Sequence, residues 1–201
     1  MNLLRDFYSF GQVEILSEAK GSAPMRVRGL FSESDKINGN KRVYPHQLLE
    51  REVQKLGALI GERRLVGELD HPTSEVVHLA NASHLITGLQ WDNKCLMGEA
   101  EILNTPSGKV LQELLKSGVK VGISSRATGS VEHDMHENCY KVQDNLKMIT
   151  WDMVSDPSCQ GAFPGVHENM ISEQRDPIVN NLSGLKSEKL YITALREALK
   201  K

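Results

Sequence analysis

Val119-Lys120-Val121-Gly122-Ile123-Ser124-Ser125-Arg126 is the stretch on which the architecture turns. Its apolar residues alternate with small or polar ones, the two-residue period of a half-buried strand. Val119, Val121 and Ile123 fall on one face, Gly122 and Ser124 on the other, and Ser125 points with Ile123. A helix precedes it: Thr105-Pro106 opens the first turn, Val110, Leu111, Leu114 and Leu115 share one side, and Gly118 ends it. After it, residues 127–131, 139–142 and 146–154 read as further short strands around the polar loop 133–138.

Upstream, residues 25–31 alternate as a first strand, and Pro45 opens a helix whose Leu48, Leu49, Val53 and Leu56 form an apolar stripe until Gly57 to Gly61 loosens it. A short strand, Leu65-Val66-Gly67, then enters the turn Gly67-Glu68-Leu69-Asp70-His71-Pro72. Residues 76–91 and 95–102, separated by the turn Asp92-Asn93-Lys94, read as a long antiparallel pair. The first eighteen residues set Leu3, Leu4, Phe7 and Phe10 at near-helical spacing and end in the small, polar boundary 17–22. Beyond Pro157 the chain is polar and irregular until a final helix over 185–199. Short strands with interleaved helices predict an α+β fold, a mostly antiparallel, barrel-like β core flanked by helices.

At 201 residues the chain fits one domain, or one domain plus a tail. Lysine plus arginine (24) nearly balance aspartate plus glutamate (26), so no global field draws the protein to nucleic acid or to an anionic membrane. Cys95, Cys139 and Cys159 are an odd, sparse set that implies reduced thiols rather than a disulfide framework. Arg5 and Asp6 interrupt the apolar N-terminus where a signal peptide needs a continuous core, and a soluble intracellular protein is expected. No Gly-rich phosphate loop, internal repeat or heptad array supports nucleotide binding or a coiled coil.

The chemistry gathers on three segments. His71, held between a strand ending at Gly67 and a rigid Pro72, is a candidate general base. Ser124, on the freer face beside Gly122, is the candidate nucleophile, with Ser125 as the alternative; Arg126 follows as a candidate oxyanion stabiliser. Asp152 lies among apolar residues in 148–154 and needs a partner such as a histidine N–H, and Asp156 is the second candidate for that role. Asp70 points away from its neighbour on an extended chain, so it is read as shaping the turn. Together these residues supply the parts of a serine hydrolase. A separate group, His133-x-x-His136-x-x-Cys139, offers three metal ligands without an evident fourth.

Four words carry a family resemblance: Asn40-Lys41-Arg42-Val43-Tyr44-Pro45, the His71 turn, Gly122 through Ser130, and Asp152-Met153-Val154-Ser155-Asp156-Pro157-Ser158. In this order, over roughly residues 25–165, the chain resembles the prohead core protein serine proteases of T-even-like tailed phages. The resemblance implies a fold related to the herpesvirus maturation protease, with His71 as base, one of the paired serines as nucleophile and Asp152 as third member. Herpesvirus enzymes use a second histidine in that third place, and Ala127 stands where the family often has glycine.

It further implies a serine endopeptidase without cofactors, at work in the host cytoplasm inside the assembling prohead. The partners implied are scaffold core and major capsid proteins, and the chain itself, in a self-associating assembly. Cleavage is implied after Glu in aliphatic-x-Glu-Ala/Gly sites, two of which occur here, Leu16-Ser17-Glu18 before Ala19 and Leu195-Arg196-Glu197 before Ala198. Residues 1–18 are then a propeptide candidate, 19–165 the protease domain, and 166–201 a tail that docks on scaffold or is cut away. A pocket for Glu calls for a cation, with Arg126, Arg42 and Lys41 as candidates. The competing readings are a catalytically inactive scaffold-core component and a metal-binding module at His133, His136 and Cys139.

Overall fold

Asn93 adopts a left-handed φ of 52° in the turn that joins two long strands, a conformation asparagine tolerates better than most residues. That hairpin belongs to a computed structural model that describes residues 2–7, 13–21 and 23–154. The predicted final helix, Asp156, Glu197 and Ala198 lie outside the described residues.

In chain order the elements are β1 (Asn2–Phe7), β2 (Glu14–Ser17), β3 (Arg26–Glu33), β4 (Arg42–Val43), α1 (His46–Gly61) and β5 (Val66–Glu68). A single 3-10 turn, Leu79–Asn81, precedes β6 (Ala82–Asp92), β7 (Cys95–Ile102), α2 (Pro106–Lys116), β8 (Gly122–Gly129), β9 (Val131–Asp134), β10 (Cys139–Val142) and β11 (Lys147–Val154). The strands form three sheets, in the orders β2-β3-β7-β6-β5, β1-β8-β11 and β4-β10-β9. The ladders are antiparallel except β4 with β10.

Among the described residues no sheet closes on itself, so the strands form no closed barrel. Where β5 meets β11 the contact is one parallel bridge, Leu69 with Met153, because the chain turns away at Asp70, whose φ is 63°. No helix among the described residues is long and apolar enough to cross a membrane.

Three further expectations change. The near-helical spacing of Leu3, Leu4 and Phe7 belongs instead to strand β1, in which Leu4 and Asp6 alternate as buried residues. A helix this short is marginal by itself, whereas a strand gains a full ladder along β8. β8 starts at Gly122, leaves Val119 exposed, and runs on to Gly129. Every residue of β8 is buried, on both faces of the sheet, so its polar-apolar alternation is no guide to its ends. α1 continues through Gly57, which faces solvent with nothing near it; the propensity cost of about 1 kcal/mol does not break a helix anchored by Leu48, Leu49, Val53 and Leu56.

α2 follows its sequence signals, with Thr105 Oγ1 accepting from the Gly108 N–H at 3.1 Å and Pro106 in the first turn. The core gathers around Trp151, whose ring lies tilted at 51° with its centroid 5.6 Å from that of Phe31, and whose indole N–H donates to Ser32 Oγ at 3.0 Å. Gly67 in β5 lies so close to this core that a Cβ there would sit 2.2 Å from the Trp151 carbonyl oxygen and 2.3 Å from His84 Nε2. Gly67→Ala is therefore expected to destabilise the protein by about 1–3 kcal/mol through overpacking, measured as a lower urea midpoint with an unchanged slope.

Candidate active site

The register of β8 on β11 places Ser124 directly opposite Asp152. Cross-strand partners point to the same face, so both side chains emerge together while Ser125 and Trp151 point to the other. His71 enters from the turn after β5, which is tied to β11 by the Asp70 N–H donating to the Met153 carbonyl at 2.8 Å and by Thr150 Oγ1 donating to the Val66 carbonyl at 2.8 Å. Asp70 thus shapes the turn, as its residue type predicts, and is itself exposed.

His71 bridges the two strands: Nδ1 lies 2.8 Å from Asp152 Oδ2 and Nε2 lies 2.5 Å from Ser124 Oγ. A carboxylate only accepts, so Nδ1 carries the hydrogen and the Nε2 lone pair faces the serine hydroxyl. That tautomer can take a proton from Ser124. Ser125 is engaged elsewhere, its hydroxyl donating to the Asp6 carbonyl at 3.1 Å.

Asp152 is 0% exposed and its second oxygen is fully used, accepting from the Glu68 N–H and from Arg126 at 3.0 Å each. Arg126 lies on the Ser124 face, but its guanidinium is committed inward. It also pairs with Glu68 Oε1 at 3.0 Å and donates to the carbonyls of Ser74 and Val76. The structure thus places Arg126 behind Asp152, with 0% exposure, where the sequence reading had an oxyanion donor or a Glu pocket. The physical reason is charge: two buried carboxylates require a buried cation.

With both carboxylates ionised the Asp152–Glu68–Arg126 cluster carries one net negative charge. A positive imidazolium at His71 would bring it to neutrality, which favours the species formed when the serine proton is taken. Glu68 is further held by the His78 N–H at 3.0 Å and Asn81 Nδ2 at 3.3 Å, which pins the loop after β5. Sequence reasoning passed over Glu68, although it lies inside the His71 word and its burial follows from the strand it closes.

The remaining candidates lie apart. Arg42 donates to Asp6 Oδ1 at 2.9 Å, and Lys41 occupies an exposed turn with φ 56°. Glu18 and Ala19 are exposed just beyond β2. The His133 ring lies tilted against Tyr140 at 4.9 Å, Cys139 is buried with its thiol directed at Glu137, and the His136 backbone N–H donates to Asp134 Oδ1 at 2.8 Å. Among the described residues no group of three or more His, Cys, Asp or Glu side chains converges as a metal site.

A family model described as prohead core protein serine protease matches residues 14–175. The chain belongs to that family. Within it, the chain is 27% identical over 179 residues to the prohead core protein protease of Enterobacteria phage T4, covering 87% of this chain and 81% of that one. Its fold matches a solved structure of the bacteriophage T4 capsid assembly protease with a TM-score of 0.69 at 24% identity, over 76% of this chain and 96% of the other. This phage maturation protease family is therefore the setting in which the Asp152–His71–Ser124 line must be read.

A second histidine, His84 on β6, supports the site from behind. Its Nε2 donates to the Trp151 carbonyl at 3.0 Å, which leaves Nδ1 to accept from Ser83 Oγ at 2.9 Å, so the ring is neutral. Burial pulls the His84 imidazole from 6.5 down to about 4, against the opposing attraction of Asp152 and the Trp151 carbonyl. Below about 6.5 the unfolded chain takes up a proton that the folded one refuses. Stability is then expected to fall from pH 6.5 to pH 4 by roughly 1.4 kcal/mol per unit from this group. Urea unfolding at pH 7.5, 6 and 5 should show that extra slope in the wild type and lose it in His84→Gln.

Proposed function

We propose that the protein is a Ser-His-Asp endopeptidase of procapsid maturation, with Ser124 as nucleophile, His71 as general base and Asp152 as the orienting carboxylate. The observation that carries this reading is the continuous hydrogen-bonded line from Asp152 through His71 to Ser124 in a member of a serine protease family. Ser124 Oγ attacks the scissile carbonyl as His71 Nε2 accepts its proton. Asp152 holds the tautomer and stabilises the imidazolium. His71 then returns the proton to the departing amine, and a water activated by the same ring hydrolyses the acyl-enzyme. Arg126 acts as a positioning residue, neutralising Asp152 and Glu68 so that Asp152 Oδ2 stays aimed at His71.

The proposed substrates are scaffold core and capsid proteins inside the prohead, and the chain itself, cut after Glu in aliphatic-x-Glu-Ala/Gly sites. Exposure of Glu18 and Ala19 supports trimming of residues 1–18 from a protease domain over 19–165. A second cut at Glu197 before Ala198, within a 166–201 tail, and self-association on the scaffold belong to the same proposal, as does a relation to the herpesvirus protease fold.

Intact masses after incubation test the reading. Wild type should lose a fragment ending at Glu18 or beginning at Ala198, and Ser125→Ala should do the same. Ser124→Ala and His71→Ala should slow cleavage about 10⁶-fold with unfolding midpoints close to wild type, and Asp152→Asn should slow it about 10⁴-fold with a lowered midpoint, since it removes one charge of the buried cluster. Undiminished cleavage by Ser124→Ala would sink the assignment.

A further inference from the structure

Glu68 closes β5 three residues before His71 and is 1% exposed. Among the described residues its carboxylate meets Arg126 and the His78 N–H through Oε1 and Asn81 Nδ2 through Oε2, and neither His71 nor Ser124. The ladder of β5 on β6 shifts register between Gly67 and Glu68, an irregularity of the kind that re-aims a side chain beside an active site. Both residues are buried across that shift, although neighbours in a regular strand point to opposite faces.

The Glu68 carboxylate is more than charge balance requires. Arg126 and Asp152 already match one cation with one anion at 3.0 Å. Glu68 adds a second anion on the same nitrogen, Arg126 Nη2, also at 3.0 Å, so oxygens of the two carboxylates lie within about 6 Å of one another. Stability alone disfavours this arrangement, because one shared cation offsets the lost hydration of two buried carboxylates only in part. Among the described residues no other cationic side chain bonds to either carboxylate. The group at hand that gains positive charge during the chemistry is His71, on Oδ2 of Asp152.

We propose that Glu68 is a positioning residue of the reaction, one whose charge acts through Arg126 and Asp152 to hold the serine proton on His71. The inference rests on Ser124 being the nucleophile and His71 its base. In the resting site the three-member cluster is net negative, and an imidazolium beside it brings the group to neutrality. With a neutral side chain at position 68 the same step would leave the group net positive. A fixed charge that meets a charge appearing during the reaction lowers the barrier without strengthening ground-state binding. Charge therefore matters more here than reach. Glutamine keeps the length and an acceptor for Arg126 and the His78 N–H but loses the charge, whereas aspartate keeps the charge and loosens those contacts.

Phosphonylation of the full-length protein separates the two roles. An alkyl fluorophosphonate reacts with an activated serine: the Oγ–P bond forms, the P–F bond breaks, and fluoride leaves while the serine proton passes to His71. Intact mass followed over time at a series of probe concentrations gives a maximal rate and a half-saturating concentration. Glu68→Gln should lower the maximal rate roughly tenfold and leave the half-saturating concentration unchanged, whereas Glu68→Asp should stay within about threefold of wild type. Circular dichroism in urea checks that both variants are folded under the assay conditions. A wild-type rate in Glu68→Gln, a loss in Glu68→Asp as large as in Glu68→Gln, or a Glu68→Gln chain that does not fold would overturn the inference. Wild type that takes no label, or labelling undiminished in Ser124→Ala, would instead overturn the Ser124 reading and this inference with it, so the two failures are told apart.

Discussion

The buried ion cluster of Arg126 with Asp152 and Glu68 is the constraint on which the rest of the site depends. Arg126 joins β8 to β11 through Asp152, to β5 through Glu68, and to the 72–81 loop through the carbonyls of Ser74 and Val76. Such a cluster tolerates little displacement, because moving any member leaves an uncompensated charge in the interior. It therefore fixes the spatial relation of the three segments that carry Ser124, Asp152 and His71. The proposed chemistry needs that relation held to a fraction of an ångström.

Behind the cluster, packing does the same work without charge. Gly67 allows β5 to approach the Trp151 carbonyl and the His84 ring, and no larger residue fits that approach. Neutral His84 joins β6 to the strand of Asp152 and satisfies a buried carbonyl on the way. The turn that presents His71 is thus pressed against β11 from one side by packing and held from the other by the Asp70 and Thr150 hydrogen bonds.

The N-terminal strand changes how the molecule is to be understood. Residues 2–7 are built into the sheet of Ser124, and Asp6 is as buried as Asp152. That strand therefore forms part of the wall beside Ser124.

Much of this was legible in the residues. The helices after Pro45 and Thr105, the 92–94 hairpin, the His71 turn, and the placement of Ser124 and Ser125 on opposite faces follow from caps, turn chemistry and strand alternation, all of which act within a few neighbours along the chain. Asp152 was legible because a charge among apolar residues demands a partner. The surroundings of Arg126 were not legible, for the converse reason: its partners, Glu68 and Asp152, lie 58 and 26 residues away, and no local pattern announces such a pairing. The three-sheet arrangement in place of a closed barrel is of the same kind, since closure depends on whether β5 and β11 form a ladder or a single bridge. Sequence by itself determined which residues can do chemistry and the local elements that hold them. Tertiary structure alone decided which charges neutralise one another and which strand lies beside Ser124, because burial and long-range pairing exist only once distant segments are packed together.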